Sequence, residues 1–182
     1  MLFTETGVAG AFLFEPQRIT DERGFFARTW CRAELEAHGL DTALAQCNIS
    51  FNQHQGTLRG VHYQAPPHGE VKLVRCTRGA IFDVALDLRP GSPTYGAHTT
   101  AILTAENRHL LYIPEGCAHG FLTLEDETEV AYQMSAPYVP GAARGVRWDD
   151  PAFGIRWPEP VRVIAERDRT YPDVEKNGKA SR

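Results

Sequence analysis

Short apolar runs rich in β-branched and aromatic residues dominate this chain. AFLFEPQRI (11–19), VKLVRC (71–76), AIFDVALDL (80–88), HLLYIP (109–114), HGFLTL (119–124) and TEVAYQM (128–134) each read as a strand. Segments dense in glycine and proline, such as LRPGSPTYG and PEGCAHG, separate many of them. Strands at this spacing predict an all-β sandwich or barrel. One helix is expected over CRAELEAHG (31–39), where helix-forming residues lead into a glycine, and a second short one near 160–170. No repeat or linker interrupts the pattern. One domain is therefore expected over 1–182, with a loose tail from about residue 173 that includes KNGKASR.

Parity within the strands points to a pocket. In QCNISF (46–51), period two places Gln46, Asn48 and Ser50 on one face and Cys47, Ile49 and Phe51 on the other. One face suits a core and the other a polar ligand. Neighbouring strands also set polar groups among apolar ones: His62 in GVHYQ, Lys72 in VKLV, His119 in AHGF and Tyr132 in VAYQM. A barrel that gathers such groups inside holds a ligand cavity rather than a packed plug.

Composition narrows the setting. Apolar residues make up 42% of the 182 and charged residues 23%, an ordinary globular mixture with enough chain for a sizeable core. The net charge is −4 and no basic run is present, which argues against a nucleic-acid partner. No apolar stretch is long enough to span a membrane, and MLFTETGVAGAF lacks a signal-peptide pattern. Cys31, Cys47, Cys76 and Cys117 stand singly, as reduced thiols rather than a disulfide framework or zinc site. A cytoplasmic protein is expected.

The candidate chemistry is acid–base. Metal-binding cupin-like barrels usually offer an HxH pair, a carboxylate and a later histidine. Here the pair reads His62-Tyr63-Gln64, and His119 alone is a poor complement for a divalent ion. No GxSxG elbow, glycine-rich phosphate loop or dinucleotide fingerprint occurs. A histidine, a tyrosine, a lysine and an aspartate remain, a set suited to proton abstraction beside a carbonyl.

Six landmarks in order carry a family resemblance: DERGFF (21–26), QCNISF (46–51), TLRGVHYQAPP (57–67), KLVRCTRGAIFDVALDLRPGSPTYG (72–96), IPEGCAHGF (113–121) and RGVRWDDPAFGIRWP (144–158). Over roughly residues 10 to 172 the chain resembles the dTDP-4-dehydrorhamnose 3,5-epimerases of the cupin superfamily. The resemblance implies a cupin-type β-barrel or jelly roll with a few short helices, a homodimer by analogy, and no cofactor or metal. It implies inversion of carbons flanking the C4 ketone of a nucleotide-linked 4-keto-6-deoxyhexose. In that frame His62 resembles the base, Tyr132 the acid on the opposite face, and Lys72 the cation that steadies the enolate. Asp168 resembles the carboxylate that orients His62, with Asp83 as its rival. Arg23, Arg59, His119 and Arg167 resemble groups around the diphosphate and sugar, Gln46 and Asn48 contacts to base and sugar, and Tyr138 the aromatic stacked on the base. Strict parity sets Arg59 and His62 on opposite faces, and a bulge at Gly60 or a strand starting nearer Val61 would reconcile them.

Two positions depart from the family pattern. Arg28 stands where a glutamate near the base is usual, and Ala143 replaces a second glutamate. An arginine can only donate, whereas a carboxylate accepts the thymine imino proton. The nucleoside is thus open between thymidine and a CDP- or GDP-linked sugar, with Arg28 turned to base, phosphate or solvent. A non-catalytic cupin that only binds a nucleotide sugar, and a metal-dependent cupin, are the readings from other classes.

Overall fold

The structure is a computed structural model whose described residues are 1–174; the tail expected at KNGKASR lies outside them. Fourteen strands and two short α-helices occur among the described residues. In chain order they are β1 (Leu2–Glu5), β2 (Phe12–Glu15), β3 (Arg18–Asp21), β4 (Gly24–Ala27), α1 (Arg32–Ala37), β5 (Gln46–Asn52) and β6 (Thr57–Gln64). There follow β7 (Lys72–Arg78), β8 (Ala80–Asp87), β9 (His98–Thr104), β10 (Leu110–Ile113), β11 (Cys117–Thr123), β12 (Thr128–Met134), β13 (Ala143–Gly145), β14 (Val163–Ile164) and α2 (Glu166–Arg169). The protein is mainly β, as its strand-rich pattern predicts, and has the cupin-type architecture that the resemblance implies.

Two sheets make the body. One has the order β1-β2-β10-β7-β12-β5; the other has β13-β6-β11-β8-β9, with β14 running parallel beside β6. Period two selects the side chains between them. Val74, Cys76, Leu111, Ile113 and Val130 of the first sheet meet Ile81, Ala85, Leu103, Cys117 and Phe121 of the second in one buried cluster. Each fully buried aliphatic side chain there stabilises the fold by roughly 1.5–3 kcal/mol relative to exposure. This plug closes part of the space between the sheets and leaves the remainder for polar groups. No helix among the described residues is long and apolar enough to cross a membrane.

Three local expectations are modified. AFLFEPQRI is two strands, not one: β2 ends at Glu15 and β3 begins at Arg18. Pro16 has no N–H to donate to a ladder, so the chain leaves the large sheet there and forms the separate β3–β4 hairpin. The helix near 160–170 is a single turn, Glu166–Arg169. In β5 the alternation holds, but its apolar face points outward: Ile49 is 69% and Phe51 50% exposed, while Gln46, Asn48 and Ser50 are half-buried. Register with β12 turns Gln46, Asn48 and Ser50 toward the second sheet, and the chain leaves the opposite face of β5 uncovered.

Candidate active site

A cavity of about 810 Å³ opens between the sheets, lined by His62 of β6 and His119 of β11 on one side and by Lys72 of β7 and Tyr132 of β12 on the other. That volume falls in the range typical of small-molecule sites. Four chemically capable side chains from four strands therefore converge on one space.

A bulge in β6 aims the imidazole. Arg59 pairs with Phe121 and His62 with His119, so three steps along β6 match two along β11. The extra residue is accommodated at Gly60, whose φ of +133° lies where side chains are rarely tolerated. A Cβ there would lie 2.9 Å from the His119 carbonyl oxygen. The shift brings Arg59 and His62, which strict parity would separate, to the same cavity.

Asp168 locks this geometry from α2. Its Oδ2 accepts the Gly60 N–H at 3.2 Å, and its Oδ1 lies 2.6 Å from His62 Nε2. Asp168 is only 2% exposed. Burial pushes its pKa upward, but hydrogen bonds from His62 and Gly60, the His62 charge and Arg167 outweigh that and hold it below the usual carboxylate value. An Nε2–H donated to Asp168 leaves Nδ1 as the nitrogen with the lone pair, the state a general base needs. Arg167 adds its Nε at 3.3 Å from Asp168 Oδ1 and its Nη2 at 3.2 Å from His62 Nε2.

Asp83 takes the other imidazole. His119 Nε2 lies 2.7 Å from Asp83 Oδ1, so the choice between Asp168 and Asp83 as partner of His62 falls to Asp168. Burial raises the pKa of the fully enclosed Asp83, opposed by the nearby charges of His119 and Lys72. Lys72 Nζ is 2.8 Å from Glu70 Oε1 and donates to the His62 carbonyl at 3.4 Å. Tyr132 is half-buried on the facing sheet, where it packs against the main core cluster.

The sequence-predicted binding residues divide into two groups. Arg59, Arg167 and Tyr138 line the cavity with the residues above. Arg59 is anchored by its Nε to Asn52 Oδ1 at 2.7 Å. Gln46 accepts the Tyr138 N–H through its side-chain oxygen and so supports the rim. Asn48 donates to Met134 Sδ at 3.6 Å and lines a smaller neighbouring cavity of about 350 Å³. Arg23 and Arg28 are not brought to the main cavity of the chain. Arg23 sits at the exposed tip of the β3–β4 hairpin, paired with Asp21. Arg28 Nη1 pairs with Glu34 Oε1 at 2.7 Å beside α1.

Arg144, Glu70 and Ser50 are among the lining residues that the sequence does not single out as site residues. Arg144 of β13 and Glu70 lie at positions with no strand parity to mark them, whereas Ser50 shares the inward face of β5 with Gln46 and Asn48. Ser50 Oγ and Glu70 Oε2 are buried with no hydrogen-bond partner among the described residues.

A family model described as dTDP-4-dehydrorhamnose 3,5-epimerase matches residues 5–176. The chain is 45% identical to the dTDP-4-dehydrorhamnose 3,5-epimerase of Methanothermobacter thermautotrophicus, across 96% of this chain and 95% of that protein. It is 43% identical to the enzyme of the same name from Sinorhizobium fredii, across 96% and 90%. A crystal structure of the Bacillus anthracis dTDP-4-dehydrorhamnose 3,5-epimerase with TDP and PPi bound superposes with a TM-score of 0.90 at 37% identity, covering 95% of this chain and 99% of that one.

Proposed function

The chain belongs to the dTDP-4-dehydrorhamnose 3,5-epimerase family, and from that premise we propose that it inverts C3, C5 or both in a dTDP-linked 4-keto-6-deoxyhexose. The observation that carries this reading is the opposition of His62 on β6 and Tyr132 on β12 across one cavity, since the two strands belong to different sheets.

His62, held by Asp168, takes the proton α to the ketone. The C–H electron pair becomes the enolate double bond, and the carbonyl π pair moves onto the C4 oxygen. The Lys72 ammonium offsets the charge that develops there, an interaction strengthened by the partly dry cavity. Tyr132 then returns a proton to the carbon from the opposite side. Return from the His62 side would restore the starting configuration, so inversion requires two groups on two faces. Each such group contributes on the order of 10²–10⁴-fold to rate.

Arg59, Arg167 and His119 supply positive charge or donors for the diphosphate, and the half-exposed Tyr138 offers a face to the base. The pairing of Arg28 with Glu34 turns it to the surface beside α1, which removes the reason to expect a donor at the base and favours thymidine over the CDP- and GDP-linked alternatives. The test is incubation of a 4-keto-6-deoxy nucleotide sugar in deuterated water. Deuterium should enter at C3, C5 or both; its absence with a verified substrate would leave only the non-catalytic, nucleotide-sugar-binding reading.

A homodimer is part of the same proposal. Ile49 and Phe51 on the outer face of β5, with Ile19, Phe25 and Phe26 on the β3–β4 hairpin, form exposed apolar surface on edge elements. Such surface is costly to leave in water, and a second copy would cover it. It would also give Arg23, at the hairpin tip, a route to a partner's cavity. Ile49→Asp should lower the mass measured by light scattering to that of one chain. A cytoplasmic location agrees with the four free cysteines.

A further inference from the structure

The imidazole of His62 has different neighbours on its two sides. On β11 its paired position is His119; on β13 it is Gly145, which brings no side chain. Side chains at paired positions stand next to one another on one face of a sheet, so a glycine there leaves a gap beside the imidazole. Tyr171 fills it. A Cβ on Gly145 would lie 2.5, 2.6 and 2.9 Å from Cε2, Cζ and Oη of Tyr171, so the phenol takes the space of the missing side chain. Its ring meets His62 edge-on, with centroids 6.2 Å apart and planes at 67°. That spacing and tilt suit a favourable aromatic pair.

The segment that supplies this ring also supplies Asp168. α2 ends at Arg169, and Tyr171 follows two residues later. The chain is held on both sides of it. Before it, β14 runs beside β6; after it, Asp173 pairs with Arg147 at 2.5 Å and the Val174 N–H donates to buried Asp150 at 2.7 Å. Tyr171 is half-buried, and burial pushes its phenol above the ordinary value, so a neutral ring faces the imidazole.

Asp168 alone leaves the base one freedom. An imidazole fixed at Cβ by the backbone and at Nε2 by a hydrogen bond can still rock about the line through those points. Rocking swings Nδ1, the nitrogen that takes the proton. A displacement of about 1 Å at a reacting atom costs on the order of 10²-fold in rate. We propose that Tyr171 is a positioning residue whose ring, admitted by Gly145, restrains His62 against this motion and keeps Nδ1 aimed into the cavity. The proposal rests on the epimerase reading above and adds to it a residue that acts only through His62.

The experiment measures deuterium exchange into the 4-keto sugar and the NMR signals of the His62 ring protons in four variants. Tyr171→Ala should lower kcat for exchange by about 3- to 10-fold, the worth of an edge-on aromatic pair, with little change in KM. Tyr171→Phe, which keeps the ring, should restore most of that rate. The φ of Gly145 lies outside the left-handed region, so Gly145→Ala is open to the backbone and its methyl group displaces the ring instead. It should cost about as much as Tyr171→Ala, and the double variant no more than either, because each change removes the same contact. The His62 signals should broaden in both single alanine variants and stay sharp in Tyr171→Phe. Gly145→Ala carries the test if Tyr171→Ala does not fold.

Wild-type kcat in a folded single alanine variant, a loss confined to KM, an equal loss in Tyr171→Phe, or additive losses in the double variant would overturn the proposal. The NMR measurement needs no substrate, and sharp His62 signals in a single alanine variant overturn it even where no exchange is seen. Exchange by the wild type upholds the epimerase reading in all these cases, whereas its absence brings that reading down separately.

Discussion

His62 and His119 are direct partners across β6 and β11, and each is bonded to its own buried aspartate, Asp168 at 2.6 Å and Asp83 at 2.7 Å. Side chains at paired positions share a face of the sheet, so two imidazoles stand side by side in one cavity with separate supports. The bulge at Gly60 creates this pairing, and α2 secures it through the Gly60 N–H.

Removal of the base and of the acid should give different defects. His62→Asn is expected to lower deuterium exchange by about 10²–10⁴-fold. Tyr132→Phe should spare exchange and depress inversion, because abstraction still occurs but the proton returns from the wrong face. NMR of the recovered sugar separates the two, and equal loss of exchange in both variants would contradict the assignment.

Asp168 predicts an acid-dependent stability. Its folded pKa lies below the ordinary value, so the unfolded chain binds more protons through that range. Its contribution is complete above the ordinary carboxylate pKa and fades as pH falls towards the folded one. Asp168→Asn should cost about 1–3 kcal/mol at neutral pH through poorly satisfied neighbours. The gap in melting temperature between variant and wild type should narrow as the pH is taken from 7 to 3. A gap that widened on acidification would reverse the sign.

Gly60→Ala meets both a left-handed φ and a carbonyl oxygen 2.9 Å from the new Cβ. The bulge must open to admit the methyl group. A destabilisation of about 1–3 kcal/mol in chemical denaturation is expected, together with loss of exchange as His62 leaves Asp168. Full activity in a folded variant would show that the bulge does not aim the base.

The cysteines should separate by reactivity. Burial pushes the Cys76 thiol up to about 11 and the Cys117 thiol up to about 12, so both stay protonated and enclosed at pH 8. Neither should react with iodoacetamide in the native protein. Cys47, exposed on the outer face of β5, should react, and more slowly as rising concentration brings copies together over that face. Mass spectrometry of the peptides reads each site, and a rate independent of concentration would argue against dimer cover there.

Nucleotide preference should follow the surface placement of Arg28. Calorimetric titration is expected to rank dTDP above CDP and GDP, with Arg28→Glu changing that order little. Tighter binding of CDP or GDP would restore Arg28 to the base.

The sequence by itself determined the all-β class, the alternating strands and the set of polar side chains His62, Lys72, His119 and Tyr132 that meet in one cavity, because period two and turn residues are local properties of the chain. It left a bulge at Gly60 and a strand starting nearer Val61 as the two ways for Arg59 and His62 to share a pocket, and the pairing of β6 with β11 decides for the bulge. Tertiary structure alone decided which aspartate serves which histidine: His62 and Asp168 are 106 residues apart, and no local pattern links them. It likewise decided that β5 turns its apolar face outward, because its register with β12, and not the strand's own residues, sets which face meets the second sheet.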